Sequence, residues 1–275
     1  MKRCVTIQDI SCFGKCSITV ALPVISAMGI ECAIIPTAVL STHTGGFKGF
    51  TFRDLSEDIP AICDHWKNEN ICFDGVYTGY LGSPEQAQQI EDFVDKFNPP
   101  LVFVDPVMAD NGVLYAGFDE TIVDAMRKLC AKADIIVPNL TEAAFLLGEK
   151  FVRPGEYDKA YIEAFLKRLA ALGAKKVALT GIIYDGEHQG AVAYDSESGE
   201  FFEYFRENLP ISCHGTGDVY SSTMFGALLL GKSLEESLKI AVDNTVNCIK
   251  RTMGDKSHWY GVKFEECIPE LIKMI

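Results

Sequence analysis

Short apolar, β-branched runs alternate with segments of helical periodicity through most of this chain, and that alternation limits the fold more than any other feature. It indicates right-handed crossovers between parallel strands, with helices on both faces of the sheet. The sequence predicts strands near residues 4–7, 32–36, 75–78, 101–104, 135–137 and 176–180. The helices predicted between them lie near residues 17–28, 55–66, 84–97, 120–131 and 159–172.

The last third of the chain follows a different pattern. Residues 191–194 and 201–205 flank a polar turn, which predicts a hairpin at an antiparallel edge of the sheet. Further helices are predicted over residues 219–230, 234–253 and 264–274. The chain has 275 residues, 48% of them hydrophobic, and no Pro-, Gly- or Ser-rich linker. We therefore expect a single α/β domain over residues 1–275, in three α/β/α layers around a mostly parallel sheet.

Composition and charge exclude several classes of partner. The formal net charge is −13 and no Lys or Arg cluster offsets it, so we expect neither a nucleic-acid nor a membrane partner. The apolar segment 18–39 divides at Gly29 into a helical run and a strand, and so is not a predicted membrane span. Residues 1–3 lead into too few apolar residues for a signal peptide. The ten cysteines show no C-x-x-C pair or zinc-type spacing, which indicates reduced thiols and a cytoplasmic protein.

A glycine-rich turn and a carboxylate stand at the start of a long apolar helix, in the run CHGTGD at residues 213–218. The backbone N–H groups of Gly215, Thr216 and Gly217 can surround an anion, and the positive end of the following helix reinforces the site. Asp218 would repel a phosphate unless it had another role. We interpret it as a general base that activates an attacking hydroxyl group. A helix cap is the alternative for such a run taken alone.

Nearly every predicted strand ends in a polar residue. Ligands of an open parallel sheet bind at the carboxyl ends of its strands, so these side chains are expected to meet at one edge. They are Gln8-Asp9, Thr37, Thr78-Gly79-Tyr80, Asp105, Asn139 and Thr180-Gly181. Asn139 taken alone is better interpreted as a turn former or a helix cap.

Asp105 and Glu142 are hard oxygen ligands suited to a magnesium ion that keeps most of its waters. Asp105 follows a strand, and Glu142 falls on the first turn of the next helix. Dipole compensation or a capping box is the alternative for Glu142. The chain has no G-x-x-x-x-G-K-[ST] motif, which excludes a Walker-type site. Transfer from ATP would then depend on residues 215–217, the metal and Asp218.

The segment STHTGGF at residues 41–47 is polar, hinged by glycines, and suited to closing over a small polar ring, although such a segment is often only a loop. His43 is assigned a substrate contact at most, because histidines of this kind are more often structural. Tyr80 can stack on a heteroaromatic ring or pack in the core. Cys213 is interpreted as an inert thiol rather than a reactive one.

These motifs together resemble the pyridoxal kinases of the ribokinase superfamily. They are STHT at 41–44, TGYLG at 78–82, DPVM at 105–108, PNLTE at 138–142 and GTGD at 215–218. They occur in the family's order and cover essentially the whole chain. The glycine motif alone indicates only the superfamily, whereas S-x-H-T, T-G-Y and D-P-V narrow the resemblance to vitamin B6 kinases.

The resemblance implies a ribokinase-like fold and a cytoplasmic homodimer that uses ATP and Mg²⁺ to phosphorylate the 5′-hydroxymethyl group of pyridoxal, pyridoxamine or pyridoxine. It implies that Asp218 is the base, that residues 215–217 form the anion hole, and that Asp105 and Glu142 serve the metal. It implies that Asp110, Tyr115, Asn139, Thr180 and Thr216 contact the nucleotide and that Thr44 and Tyr80 contact the vitamer. We add Asp9 and His43 as candidate vitamer contacts.

The chain departs from the family at its first strand, which reads Gln8-Asp9-Ile10 where many pyridoxal kinases read Gln-Ser-His. The family's serine touches the pyridine ring, so Asp9 would place a carboxylate against the substrate; a helix cap is the alternative. Hydroxymethylpyrimidine kinases are the alternative function, but they often carry cysteine where this chain has Asp218. A B6- or nucleotide-binding protein without catalysis would show a broken base or anion hole, and both motifs are intact here.

Overall fold

The computed structural model describes residues 1–275. Its strands are β1 (Arg3–Ser11), β2 (Glu31–Leu40), β3 (Phe52–Asp54), β4 (Gly75–Thr78), β5 (Val102–Val104), β6 (Ala109–Asp110), β7 (Val113–Leu114), β8 (Ile135–Ile136), β9 (Lys176–Ile182), β10 (His188–Asp195) and β11 (Phe201–Glu207). Its helices are α1 (Ile18–Ala27), α2 (Asp58–Asn68), α3 (Pro84–Phe97), α4 (Glu120–Ala131), α5 (Leu140–Leu147), α6 (Lys159–Ala170), α7 (Thr216–Leu229), α8 (Leu234–Thr252) and α9 (Ile268–Met274). Short 3-10 turns at Lys256–His258 and Phe264–Cys267 lie between α8 and α9.

Nine strands form one sheet in the order β11-β10-β9-β8-β5-β4-β1-β2-β3. The six strands from β9 to β2 in this order pair in parallel. The β10–β11 hairpin extends the sheet antiparallel from β9, and β3 pairs antiparallel with β2 at the opposite edge. The predicted parallel sheet and antiparallel hairpin are confirmed. The sequence did not predict β3 or the separate β6–β7 hairpin.

The apolar core lies in two clusters, one on each face of the sheet. One cluster has 38 buried residues and includes Ile59 of α2, Ile90 of α3 and Ile122 of α4. The other has 30 buried residues and includes Val24 of α1 and Phe225 of α7. Because successive side chains of a strand point to opposite faces and both faces are buried here, the central strands are continuous apolar runs. The predicted three-layer α/β/α architecture is therefore confirmed.

Helix boundaries are most accurate where a side chain caps the first turn. Helices α3 and α4 have the predicted bounds. The Gln86 N–H donates to the Ser83 hydroxyl at the start of α3, and the Thr121 N–H donates to Asp119 at the start of α4. Each such cap contributes about 1 kcal/mol, so these sequence signals reflect real stabilisation of the helix start.

The strands and the last long helices begin or end differently from the prediction. Parallel pairing of β1 with β2 continues past a register shift between Gln8 and Ile10, so Asp9 lies within a strand rather than after one. Thr37 and Thr180 likewise lie inside β2 and β9. Helix α7 begins at Thr216, three residues before the predicted start, so Asp218 falls within its first turn. None of the helices combines the length and apolar character needed to cross a membrane.

Candidate active site

The glycine turn before α7 is held tightly by its neighbours. Gly215 has a positive φ of 79°, and a Cβ added there would lie 2.0 Å from the Lys15 carbonyl oxygen, so only glycine fits. No side chain caps α7, which leaves its first N–H groups without a side-chain acceptor. Gly217 is exposed, with open space where a Cβ would stand. The turn therefore offers backbone donors to an anion approaching from solvent.

Two contacts fix the rest of this turn. The Thr216 hydroxyl donates to the Cys213 carbonyl oxygen at 3.2 Å. The Gly215 N–H also faces the thiol of Cys16, a residue between β1 and α1. Burial raises the pKa of Cys16, as it does that of Cys213, so both remain neutral thiols.

Asp218 lies in the first turn of α7 and is partly exposed. Burial raises the pKa of its carboxyl to about 7, against the opposing effect of a hydrogen bond from the Ser17 backbone N–H. The negative charge of Asp9 raises it further. A carboxyl with a pKa near neutrality can both accept and release a proton near neutral pH, which is what a general base requires.

Asp105 and Glu142 are buried carboxylates with neutral partners only. Ser221 donates its hydroxyl to Asp105 Oδ2 at 2.7 Å, whereas burial raises the pKa of Asp105 to about 8, with Asp218 adding to the shift. Glu142 accepts from the backbone N–H groups of Asn139 (2.9 Å) and Met108 (3.3 Å). Burial, followed by Asp105, raises its pKa well above the usual range. Neither carboxylate therefore has a cationic partner.

A magnesium ion fits this donor set. Two carboxylates short of cationic partners are what an ion that retains most of its waters requires. No group of three or more His, Cys, Asp or Glu side chains could hold a metal in this structure, so an all-protein cage is not present. Asp105 and Glu142 would therefore hold such an ion only together with ligands that the protein does not supply.

Asn139 and Glu142 form a capping box at the start of α5, the alternative that the sequence allowed for both. Asn139 Oδ1 accepts from the N–H groups of Thr141 and Glu142, and its Nδ2 donates to the Ala109 carbonyl at 2.9 Å. Thr180 is the β-bridge partner of Asn139. The pair sits together at this sheet edge, and their contact with a nucleotide stays a prediction.

The β6–β7 hairpin carries both Asp110 and Tyr115. Asp110 accepts from the backbone and side-chain nitrogens of Asn111, and the Tyr115 N–H donates to the Met108 carbonyl at 2.9 Å. Burial raises the pKa of Tyr115, and the negative charges of Glu142, Asp110, Asp105 and Asp218 raise it further. The signal for this hairpin was present as Asn111-Gly112, both with positive φ, a pairing typical of two-residue turns.

The segment at residues 41–47 lies against the glycine turn. The rings of His43 and His214 are 5.0 Å apart. His43 is buried, its Nδ1 accepts from the Gly45 N–H at 3.1 Å, and its Nε2 lies 2.8 Å from the Tyr260 carbonyl, to which it must donate. A substrate contact from His43 would therefore use the face of its ring. Thr44, by contrast, is exposed.

Tyr80 and Asp9 differ in how free they are to meet a ligand. Tyr80 stacks on Phe118, with centroids 5.6 Å apart and planes at 19°, and remains partly exposed. Asp9 is 5% exposed, and its two oxygens accept hydroxyl protons from Ser11 and Ser17. Neither Ser17 nor Ser221 was predicted from the sequence, because neither belongs to a motif and each acquires its role only through the carboxylate that folding brings beside it.

Comparisons with known proteins identify the family of this chain. The family model described as phosphomethylpyrimidine kinase matches residues 13–261. A Bacteroides thetaiotaomicron structure, described as a phosphomethylpyrimidine kinase in a crystal form with pyridoxal, is 36% identical with a TM-score of 0.93, covering 98% of this chain and 95% of that one. Pyridoxal kinase from Lactobacillus plantarum is 32% identical with a TM-score of 0.92, covering 100% of this chain and 98% of that one.

A relative of known function extends the likeness to eukaryotes. Pyridoxal kinase of Dictyostelium discoideum is 29% identical over 92% of this chain and 87% of its own length. The chain therefore belongs to the phosphomethylpyrimidine kinase family, and its relatives place it among the pyridoxal kinases of the ribokinase superfamily.

Proposed function

We propose that this protein transfers the γ-phosphoryl group of ATP to the 5′-hydroxymethyl group of a vitamin B6 vitamer, with Asp218 as the general base. The observation that carries the proposal is the position of Asp218: it follows the glycine turn directly, in the first turn of α7, with a pKa raised by burial to about 7. Sequence relatives that are pyridoxal kinases support the substrate class.

The chemistry follows from that position. Asp218 accepts the proton of the substrate hydroxyl as its oxygen attacks the γ-phosphorus, and the bond from that phosphorus to the bridging oxygen of ADP breaks. The backbone donors of residues 215–217 and the N-terminus of α7 stabilise the negative charge on the transferring group. Asp218 then releases this proton to solvent, because its side chain is partly exposed.

Magnesium belongs to this proposal through Asp105 and Glu142. Both are buried without a cationic partner, so binding a divalent cation would relieve an electrostatic cost that the apo protein bears. When bound, the ion would neutralise the phosphate charges of ATP. The net charge of −13 supports the same need, because the protein offers few cations of its own.

For the ligands, we place Thr44 and Tyr80 beside the pyridine ring and Asp110, Tyr115, Asn139, Thr180 and Thr216 around the nucleotide. The exposure of Thr44, Tyr80 and Tyr115 supports this, because each has side-chain surface that a ligand can reach. For Asp9 and His43 the polar atoms are engaged within the protein, and substrate contact stays a prediction.

We further propose a single kinase domain over residues 1–275, working as a cytoplasmic homodimer. One nine-stranded sheet running through the whole chain supports the single domain. All ten cysteines are free, which suits a reducing compartment. Strand β3 consists of three exposed residues at one edge of the sheet. Its unpaired backbone groups can pair with a strand of a second copy, which supports the homodimer.

Hydroxymethylpyrimidine phosphorylation is the second candidate, favoured by the description of the matching family. One assay separates the two: ATP consumption with pyridoxal, pyridoxamine, pyridoxine and hydroxymethylpyrimidine at matched concentrations. We expect the highest kcat/KM with a B6 vitamer. A higher kcat/KM with the pyrimidine would reassign the enzyme, and ADP release with none of the four would favour a binding protein without catalysis.

A further inference from the structure

Helix α1 begins without a side-chain cap, although a serine stands at its N-cap. Ser17 makes no cap hydrogen bond to the helix. Its hydroxyl donates instead to Asp9 Oδ1 at 2.5 Å. Because serine at this position ordinarily accepts from the helix N–H groups, the contact with Asp9 replaces a stabilising interaction. Some other consequence of the Asp9–Ser17 contact must account for its presence.

That consequence lies in the Ser17 backbone. Its φ of 53° is in the left-handed region, which residues other than glycine adopt only when their surroundings hold them there. In this conformation the Ser17 N–H faces the Asp218 carboxylate and lowers its pKa. The segment from Lys15 to Ser17 also packs against the glycine turn, because a Cβ added at Gly215 would lie 2.0 Å from the Lys15 carbonyl oxygen. The Ser17 peptide thus lies beside Asp218, next to the glycine turn.

Asp9 is itself rigidly held. It is 5% exposed, and Ser11 donates to its other oxygen, Oδ2, at 2.9 Å. No Lys or Arg forms an ion pair with it. A buried carboxylate without a cation is unfavourable for stability, and a role in orienting the active site explains why this one is present.

We propose that Asp9 is a positioning residue for catalysis: it holds the Ser17 peptide in the conformation whose N–H orients the Asp218 carboxylate toward the substrate hydroxyl. Asp9 then acts on the reaction through Ser17 and does not itself contact the pyridine ring. The inference rests on the proposed role of Asp218 as base. It explains the departure from Gln-Ser-His at the first strand without requiring a carboxylate against the substrate.

The test compares four single variants that change Asp9 or one of the two serines that donate to it. Ser17→Ala removes the hydroxyl that reaches Asp9 and keeps the peptide N–H, whereas Ser11→Ala removes the hydroxyl on the other oxygen of Asp9. We expect Ser17→Ala and Asp9→Ala to lower kcat about 10-fold or more, with KM for ATP and vitamer changed less than about threefold. Ser11→Ala should keep kcat within about twofold. Asp9→Asn, which retains an acceptor oxygen for Ser17, should recover part of the kcat lost in Asp9→Ala.

The double variants show whether the effect passes through Asp218. If it does, Ser17→Ala causes no further loss in the Asp218→Asn background, and Asp9→Ala with Ser17→Ala loses no more than either alone. The losses should be equal for pyridoxal, pyridoxamine and pyridoxine. Thermal unfolding of each variant identifies any that fails to fold, and Ser17→Ala, which deletes one oxygen atom, remains informative if Asp9→Ala does not fold.

Three results would overturn the proposal. Near-normal kcat in Ser17→Ala would show that Asp218 needs no such support. A loss in Ser11→Ala as large as in Ser17→Ala would point to general stabilisation of β1. A changed ratio among the vitamers in Asp9→Asn with unchanged kcat would show that Asp9 contacts the ring. If Asp218→Asn itself kept its turnover, the base assignment would fail instead, which distinguishes the two outcomes.

Discussion

Replacing Gly215 with alanine tests whether the glycine turn has the geometry described. Two costs arise, and both follow from the structure. At a φ of 79° an alanine side chain costs about 1–2 kcal/mol, because Cβ meets the backbone. The new Cβ would also lie 2.0 Å from the Lys15 carbonyl oxygen, about 1 Å inside the closest contact that real Cβ atoms make. Relieving that overlap adds about 1–3 kcal/mol.

The sum, about 2–5 kcal/mol, corresponds to a fall in melting temperature of about 2–4 °C for each kcal/mol. The overlap can only be relieved by moving Lys15 or the turn by about 1 Å, and a displacement of that size at the anion site should lower kcat about 10²-fold. The assay is thermal unfolding together with ATP turnover.

Gly29→Ala is the matched control. Gly29 has a φ of 82°, yet nothing lies within 4 Å of a Cβ added there. It should show the backbone cost alone, a fall of a few degrees with normal kcat. Gly215→Ala with stability and kcat equal to those of Gly29→Ala would refute the close approach of Lys15 to the turn.

Three further predictions concern the carboxylates. Because Asp218 must be deprotonated to act and its pKa is raised to about 7, kcat/KM should fall as pH drops below about 7; a profile flat from pH 8 to pH 5.5 would contradict this. Because the pKa of Asp105 is raised to about 8, the apo protein loses stability as pH rises through the range up to about 8. Asp105→Asn should therefore melt above wild type at pH 9 while losing activity, and equal pH dependence of the two melting temperatures would refute it. Glu142→Gln should raise the Mg²⁺ concentration for half-maximal turnover, and undiminished turnover of the wild type in excess chelator would remove the metal from the account.

Much of the fold could be predicted because the signals were local. The period of apolar residues gave every strand of the parallel sheet, and caps such as Ser83 and Asp119 gave the bounds of α3 and α4. Edge elements were missed: β3 is three exposed residues with no apolar period, and the β6–β7 strands have two residues each. Such short strands depend on the partner they pair with rather than on their own sequence.

The candidate site was predictable where a motif carries chemistry by itself. The glycine turn with Asp218 was of this kind. Ser17 and Ser221 could not be predicted, because their roles depend on contacts that only the folded chain makes. Ser221 donates to Asp105, and Ser17 donates to Asp9 and lies beside Asp218. Asn139 illustrates a different difficulty. An asparagine at this position suits both a helix cap and a ligand contact, so the sequence alone cannot tell the two roles apart.

The central claim, that Asp218 is the base of a vitamin B6 kinase, is tested most directly by single-turnover phosphoryl transfer from ATP to pyridoxal in the wild type and in Asp218→Asn, with the dissociation constants of both ligands measured in parallel. If Asp218 is the base, the transfer rate falls about 10²-fold or more while both dissociation constants change less than about threefold. A transfer rate within a few-fold of wild type in the folded variant would contradict it.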